Sequence, residues 1–135
     1  MVQLFPYLLF DGACGEALRF YERLFQGRIE VLSIVGESPM AGQFPASSAH
    51  RVIHGRLKIG QSTLMASDWM ASDPYPGVRG VRLMLTYANA ETVTQAFDAL
   101  AKGGRVEMAL HATPFARAYG TLTDRFGVPW QLMVE

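Results

Sequence analysis

Charge, cysteine and long apolar runs are all scarce in this chain, and each scarcity removes a class of function. Charged residues make up 18% of the 135 residues, and twelve basic side chains cancel twelve acidic ones. No basic patch able to neutralise phosphates can be read, so nucleic acid is not expected as a partner. No apolar run approaches the roughly 20 residues that a membrane span requires. The first residues also lack a charged-then-apolar signal pattern, so no membrane partner is expected. The single cysteine, Cys14, rules out an intrachain disulfide and fits a reducing cytoplasm, the expected compartment. No His or Lys stands near it in sequence to lower its pKa, so Cys14 reads as a small packed residue at a helix start rather than a reactive thiol.

What is present is apolar. Half the residues are hydrophobic, enough for a buried core in one domain or in two small modules sharing one. Residues 3–10 read as a first strand with Pro6 at an irregular position, and Asp11-Gly12 turns the chain. Ala17, Leu18, Phe20, Tyr21, Leu24 and Phe25 recur at helical spacing until Gly27. Ile29 to Val35 reads as a strand, residues 36–49 as a long loop, and 51–59 with 62–67 as a hairpin. A connector rich in Pro and Gly covers about 69–80.

The pattern then starts again. Val81, Leu83 and Leu85 alternate with Arg82, Met84 and Thr86. Asn89 is the expected N-cap of a helix carrying Val93, Ala96, Phe97 and Leu100, which ends at Gly103-Gly104. Residues 105–109 read as a strand, 110–118 as a second loop, and 119–134 as a closing hairpin. In that hairpin Leu122, Trp130, Leu132 and Val134 are expected to face a core, with Thr121, Thr123, Gln131 and Met133 on the other side. Asp124, Arg125 and Gly127 are expected to set the turn. Gly27-Arg28-Ile29-Glu30-Val31 recurs 77 positions later as Gly104-Arg105-Val106-Glu107-Met108. The chain is therefore expected to be one α+β domain of two tandem βαβββ modules, about 1–68 and about 81–135. Each has one bare sheet face.

A tandem pair of this length is similar to the vicinal oxygen chelate superfamily of glyoxalase I, bleomycin and fosfomycin resistance proteins and extradiol dioxygenases. Pro6-Tyr7-Leu8, Leu64 to Asp68, Glu107-Met108-Ala109 and above all Thr123-Asp124-Arg125-Phe126-Gly127-Val128-Pro129-Trp130 resemble its PhnB-like branch, often labelled as a 3-demethylubiquinone 3-methyltransferase domain. The resemblance implies a glyoxalase-like half-barrel sheet with helices on the outer face, a concave ligand face and frequent homodimers. It places the superfamily's four metal-ligand positions at Pro6, Leu64, Arg82 and Gln131. Pro and Leu have no donor atom and Arg stays cationic, so neither the usual metal nor any other cofactor is expected.

The ligand-binding candidates are Arg82, His54, Gln131, Met84, Met133, Trp69 and Glu107. Arg82 suits a planar anion, or else closes a structural ion pair. His54 reads as a general base or ligand contact against the blander solvated strand-face histidine. Glu107 reads as a site carboxylate or a partner of Arg105. Trp69, Tyr75 and Phe115, in loops, suit a ligand wall or a dimer contact. His50 and His111 have no derivable role. On a strand, His50 and His54 would stand about 13 Å apart, too far to share a metal. The expected function is binding of a small, anionic molecule in a concave cleft, whether or not catalysis follows. The alternatives are a metal-dependent lyase or dioxygenase with ligands from His50, His54, His111 or Glu107, a methyltransferase, and a purely structural dimer module. No Gly-rich strand-to-helix turn supports the methyltransferase.

Overall fold

The computed structural model describes residues 1–135. Its element order is β1 (Tyr7–Phe10), α1 (Cys14–Phe25), β2 (Arg28–Ile34), β3 (Val52–Ile59), β4 (Ser62–Asp68), β5 (Leu83–Tyr87), α2 (Ala90–Ala101), β6 (Arg105–Thr113), β7 (Ala116–Thr123) and β8 (Pro129–Val134). Two four-stranded mixed sheets result, ordered β1-β4-β3-β2 and β5-β8-β7-β6, each with one helix. The chain divides into two compact units, Met1–Gly77 and Val78–Glu135. Each is a βαβββ module, as the repeat implies.

In the first unit, the apolar stripe of α1 buries Ala17, Leu18 and Tyr21 against Leu57, Leu64 and Ala66 on one face of the sheet. Alanine at position 13 offers α1 no side-chain cap. A carboxylate from another strand replaces it: Asp68, 1% exposed, accepts the backbone N–H groups of Gly12, Cys14 and Val52 at 2.7, 3.1 and 2.8 Å. A negative charge is favourable at a helix N-terminus, where backbone donors lack partners. Cys14 is fully buried there, and burial, with the charge of Asp68 second, raises its thiol pKa far above the usual range. It is a packed residue.

The second unit follows the same plan. Asn89 caps α2 by accepting the N–H of Thr92 at 2.9 Å. Val93, Ala96, Phe97 and Leu100 face Leu122, Trp130 and Leu132, the alternation expected of the closing hairpin. Asp124 builds the β7–β8 turn from inside: its carboxylate accepts Phe126 N–H, Val128 N–H and Trp130 Nε1–H. Gly127 holds φ 87°, a region that favours glycine.

Several boundaries differ from expectation. The first strand begins at Tyr7, because only residues 7–10 lie alongside β4. Residues 110–118 are no loop: β6 runs to Thr113 and β7 starts at Ala116, leaving a two-residue turn at Pro114-Phe115. Residues 36–49 contain single turns of 3-10 helix, at Ala41–Gln43 and Ala46–Ser48, after one at Val35–Glu37.

The repeated pentapeptide encodes one backbone event. β2 shifts register between Ile29 and Val31, and β6 between Val106 and Met108. The residues at these bulges are Glu30 and Glu107. An extra residue in one strand turns a side chain out of the ordinary alternation. Each glutamate therefore points across its sheet at an arginine.

Candidate functional site

Each sheet packs its helix on one face; the other, its bare face, carries no helix. In the first unit, parallel pairing puts Tyr7 beside Met65, and Met65 beside Arg56 of β3. Tyr7 also stacks on His54 with centroids 5.8 Å apart, its hydroxyl 3.1 Å from His54 Nδ1. His54 thus shares the bare face with Arg56, as its parity implied. Glu30 pairs with Arg28 and Arg56, both at 3.1 Å. Hydrogen bonds from Arg28 first, then Arg56, hold its carboxyl below the usual range.

On the second unit's bare face, Met84 pairs with Gln131, and Gln131 with Thr121 of β7. Tyr119 donates its hydroxyl to Gln131 Oε1 at 2.7 Å, while Phe115 and His111 meet the Tyr119 ring edge-on, at 5.1 and 6.4 Å. The side-chain oxygen of Gln131 is thereby committed, and its amide N–H groups are left as donors. Met84 is 42% exposed and Met133 half-buried beside them.

Arg82 lies just before β5, not within a strand. Its Nη1 meets Glu107 Oε1 at 2.8 Å and donates to the Trp130 and Leu122 carbonyls at 3.3 and 3.4 Å. Glu107 Oε2 accepts from Arg105 at 3.1 Å and from Thr123 at 3.2 Å. Its carboxyl falls below the usual range, chiefly through the Arg82 hydrogen bond, with partial burial opposing. An open cavity of about 340 Å³ is lined by Gly80, Val81, Arg82 and Pro129.

Of the candidates, Arg82, Met84, Glu107, Gln131 and Met133 share the second unit's bare face. His54 belongs to the first. Trp69 sits at the end of β4, where its Nε1 donates to the Asp73 carbonyl and its ring meets Tyr75 edge-on. It serves that connector. His50 is exposed in the loop before β3, and His111, on β6, holds its Nδ1 2.8 Å from its neighbour Ala109's carbonyl. No three His, Cys, Asp or Glu side chains converge.

Two expected positions need correction. Leu64 cannot face a ligand: it is 4% exposed in the core, level with Leu57, as Trp130 is level with Leu122. The pairs Tyr7–Met65 and Met84–Gln131 put Tyr7 and Met65 on the first bare face in place of Pro6 and Leu64, and put Met84 beside Gln131 on the second, one pleat beyond Arg82. The error arose at the turns. β3 and β4 join through two residues, Gly60 and Gln61, but β7 and β8 through five, so the last strands of the two modules are not related by the 77-residue offset of the earlier elements. Tyr119 was missed as a site residue, although its odd-numbered parity with Thr121 and Thr123 places it on that face.

Because both glutamates have depressed pKa values, their ion pairs contribute stability that is present above the unfolded carboxylate pKa. That stability is lost as pH falls through the lower, folded value. Glu107→Gln is therefore expected to lower Tm modestly at neutral pH and to change it little in strong acid, so that the variant's Tm-against-pH curve is flatter below about pH 5. An acid side unchanged in the variant would refute the assignment.

Residues 2–133 match the family described as 3-demethylubiquinone-9 3-methyltransferase. Protein YjdN of Escherichia coli K12 is 33% identical over 97% of this chain and 94% of its own. Protein PA1353 from Pseudomonas aeruginosa superposes with a TM-score of 0.91 at 38% identity, covering 100% and 98% of the two chains. A Bacillus cereus PhnB protein, which carries the same methyltransferase name, gives 0.84 at 27% identity, covering 99% and 100%. The fosfomycin resistance protein FosX of Listeria monocytogenes shares the fold alone, with a TM-score of 0.63 at 10% identity over 100% and 93%. The chain belongs to the 3-demethylubiquinone-9 3-methyltransferase family, a PhnB-like branch of the vicinal oxygen chelate fold.

Proposed function

We propose that this protein binds a small organic molecule on the bare face of its second module, without the metal used elsewhere in the fold, and works as a homodimer. The observation that carries this reading is the Tyr119–Gln131 hydrogen bond. It fixes a side-chain amide as a donor among Met84 and Met133. An apolar surface with a few oriented polar groups is the ordinary make-up of a small-molecule site.

FosX is described with Mn(II) and sulfate. The bare-face residues here do not suit such an ion: Tyr7 with Met65, and Met84 with Gln131, offer soft thioethers, a phenol and a neutral amide. A hard divalent cation prefers carboxylate and imidazole. The family name implies S-adenosylmethionine, which the fold does not suit either. Neither sheet is doubly wound, and the turns after β1 and β5 contain one glycine between them, Gly12. The homodimer is the part of this reading that rests on the family resemblance.

A panel of N-phenyl-1-naphthylamine fluorescence, elemental analysis of purified protein and light scattering tests the reading. Expected are saturable dye binding weakened about tenfold by Met84→Asp, no stoichiometric Mn, Zn, Ni or Fe, and twice the chain's mass in solution. Stoichiometric metal would instead favour a lyase or dioxygenase with unusual ligands.

A further inference from the structure

Resting on that reading, we infer that the cavity at Gly80, Val81, Arg82 and Pro129 receives an oxyanion, so the ligand is an amphiphilic organic anion. Its hydrogen-bond acceptor lies about two strand residues, roughly 7 Å, from its charge.

The cavity contains one charged group, and that group is preoriented. Arg82 spends a single nitrogen, Nη1, on Glu107 and the two carbonyls. Nε and Nη2 carry the remaining donors of the fork, whose geometry matches two oxygens of one carboxylate or phosphoryl group. Glu107 does not cancel the local field, because it faces two arginines, Arg82 and Arg105, leaving the cluster one positive charge in excess. The other walls are small or apolar. A Cβ on Gly80 would meet nothing within 4 Å, and Val81 is 57% exposed.

The register sets the length of the ligand. Met84 is level with Gln131, so Arg82, two residues earlier, is level with Pro129 on the same face. An oxyanion on Arg82 therefore directs the rest of the molecule along β5 and β8. It passes over Met84 to the amide donors of Gln131 and on toward Met133. A charged head, an acceptor one pleat away and an apolar tail fit that path. A neutral molecule would leave the Arg82 fork unused.

Calorimetric titration of the full-length protein with 4-acetamidobenzoate, 4-acetamidobenzamide and 4-acetamidophenylphosphonate tests this. The benzoate or the phosphonate is expected to bind at least tenfold more tightly than the neutral benzamide, and added salt to narrow the difference. A preference for the benzoate marks a carboxylate ligand; a preference for the phosphonate marks a phosphoryl one. Arg82→Ala is expected to abolish the preference, with circular dichroism reporting its fold. Glu107→Gln leaves Arg82 in place and removes its competitor, so anion affinity is expected to rise several-fold. Equal binding of anions and benzamide, or an anion preference that survives Arg82→Ala, overturns the inference alone. Failure of all three probes and of N-phenyl-1-naphthylamine overturns the binding reading as well.

Discussion

Asp124→Ala is expected to destabilise the protein by about 4 kcal/mol, read as a lower urea midpoint at unchanged slope. The side chain is 4% exposed and accepts three N–H groups at 2.9, 3.0 and 2.9 Å. Two of those donors belong to Val128 and Trp130, 0% and 2% exposed, where water cannot replace the lost acceptor. Each stranded buried donor costs about 1–3 kcal/mol, and bonds to a charged acceptor lie toward the upper end. Asp124→Asn should cost about half as much, since it keeps one oxygen but turns an amide donor toward another. The fluorescence of Trp130 should shift with the loss. A cost below about 1 kcal/mol would mean that the turn holds without its carboxylate.

Gly104→Ala should be nearly as damaging, at about 3 kcal/mol or more, because the methyl group has nowhere to go. An added Cβ would lie 2.3 Å from the Thr123 carbonyl oxygen and 2.9 Å from two backbone atoms of Asp124. Backbone in a paired strand cannot rotate aside as a side chain can. Gly27, its mate in the first module, meets the Lys58 carbonyl at 2.5 Å in the same way. Gly42, with nothing within 4 Å of its added Cβ, serves as the control. Urea melts of the three alanine variants should separate Gly42→Ala from the other two. Gly104→Ala unfolding with the wild type would show that β6 can move off β7 without loss.

These two sites show why some of the molecule was readable from its residues and some was not. The modules, helices and sheet faces rest on local periodicity, and Leu122, Trp130, Leu132 and Val134 fall where alternation puts them. The recurrence of Gly-Arg-Ile-Glu-Val revealed the duplication but not its cause, since a bulge depends on how a neighbouring strand is paired. Long-range pairing was the weak point. A three-residue difference in turn length moved Leu64 from ligand face to core. Pro114, a residue that usually ends strands, concealed a hairpin that turns tightly there. Among the candidate residues, parity set Arg82 with Met84 and Gln131 with Met133, but it did not say which sheet each candidate shares with which, and His54 lies in the other sheet. It was silent on what each side chain would touch, so the Arg82–Glu107 pair and Asp68's bonds emerged only in three dimensions.

The glutamate bulges have one more consequence, for how the protein behaves in a crowd. β2 and β6 each form one edge of their sheet, opposite the shorter β1 and β5, and β6 is nine residues long. A long regular edge is a template for filament growth, because an incoming strand finds an unbroken row of N–H and C=O groups. Here each row is interrupted, and at each interruption stands a charged side chain that an apolar newcomer would have to bury. Deleting Glu107 would remove one of the three register shifts of β6, the one beside Val106 and Met108, 48% and 45% exposed. The duplicated bulge therefore breaks the regularity of one edge strand in each half of the chain, an arrangement that disfavours strand addition.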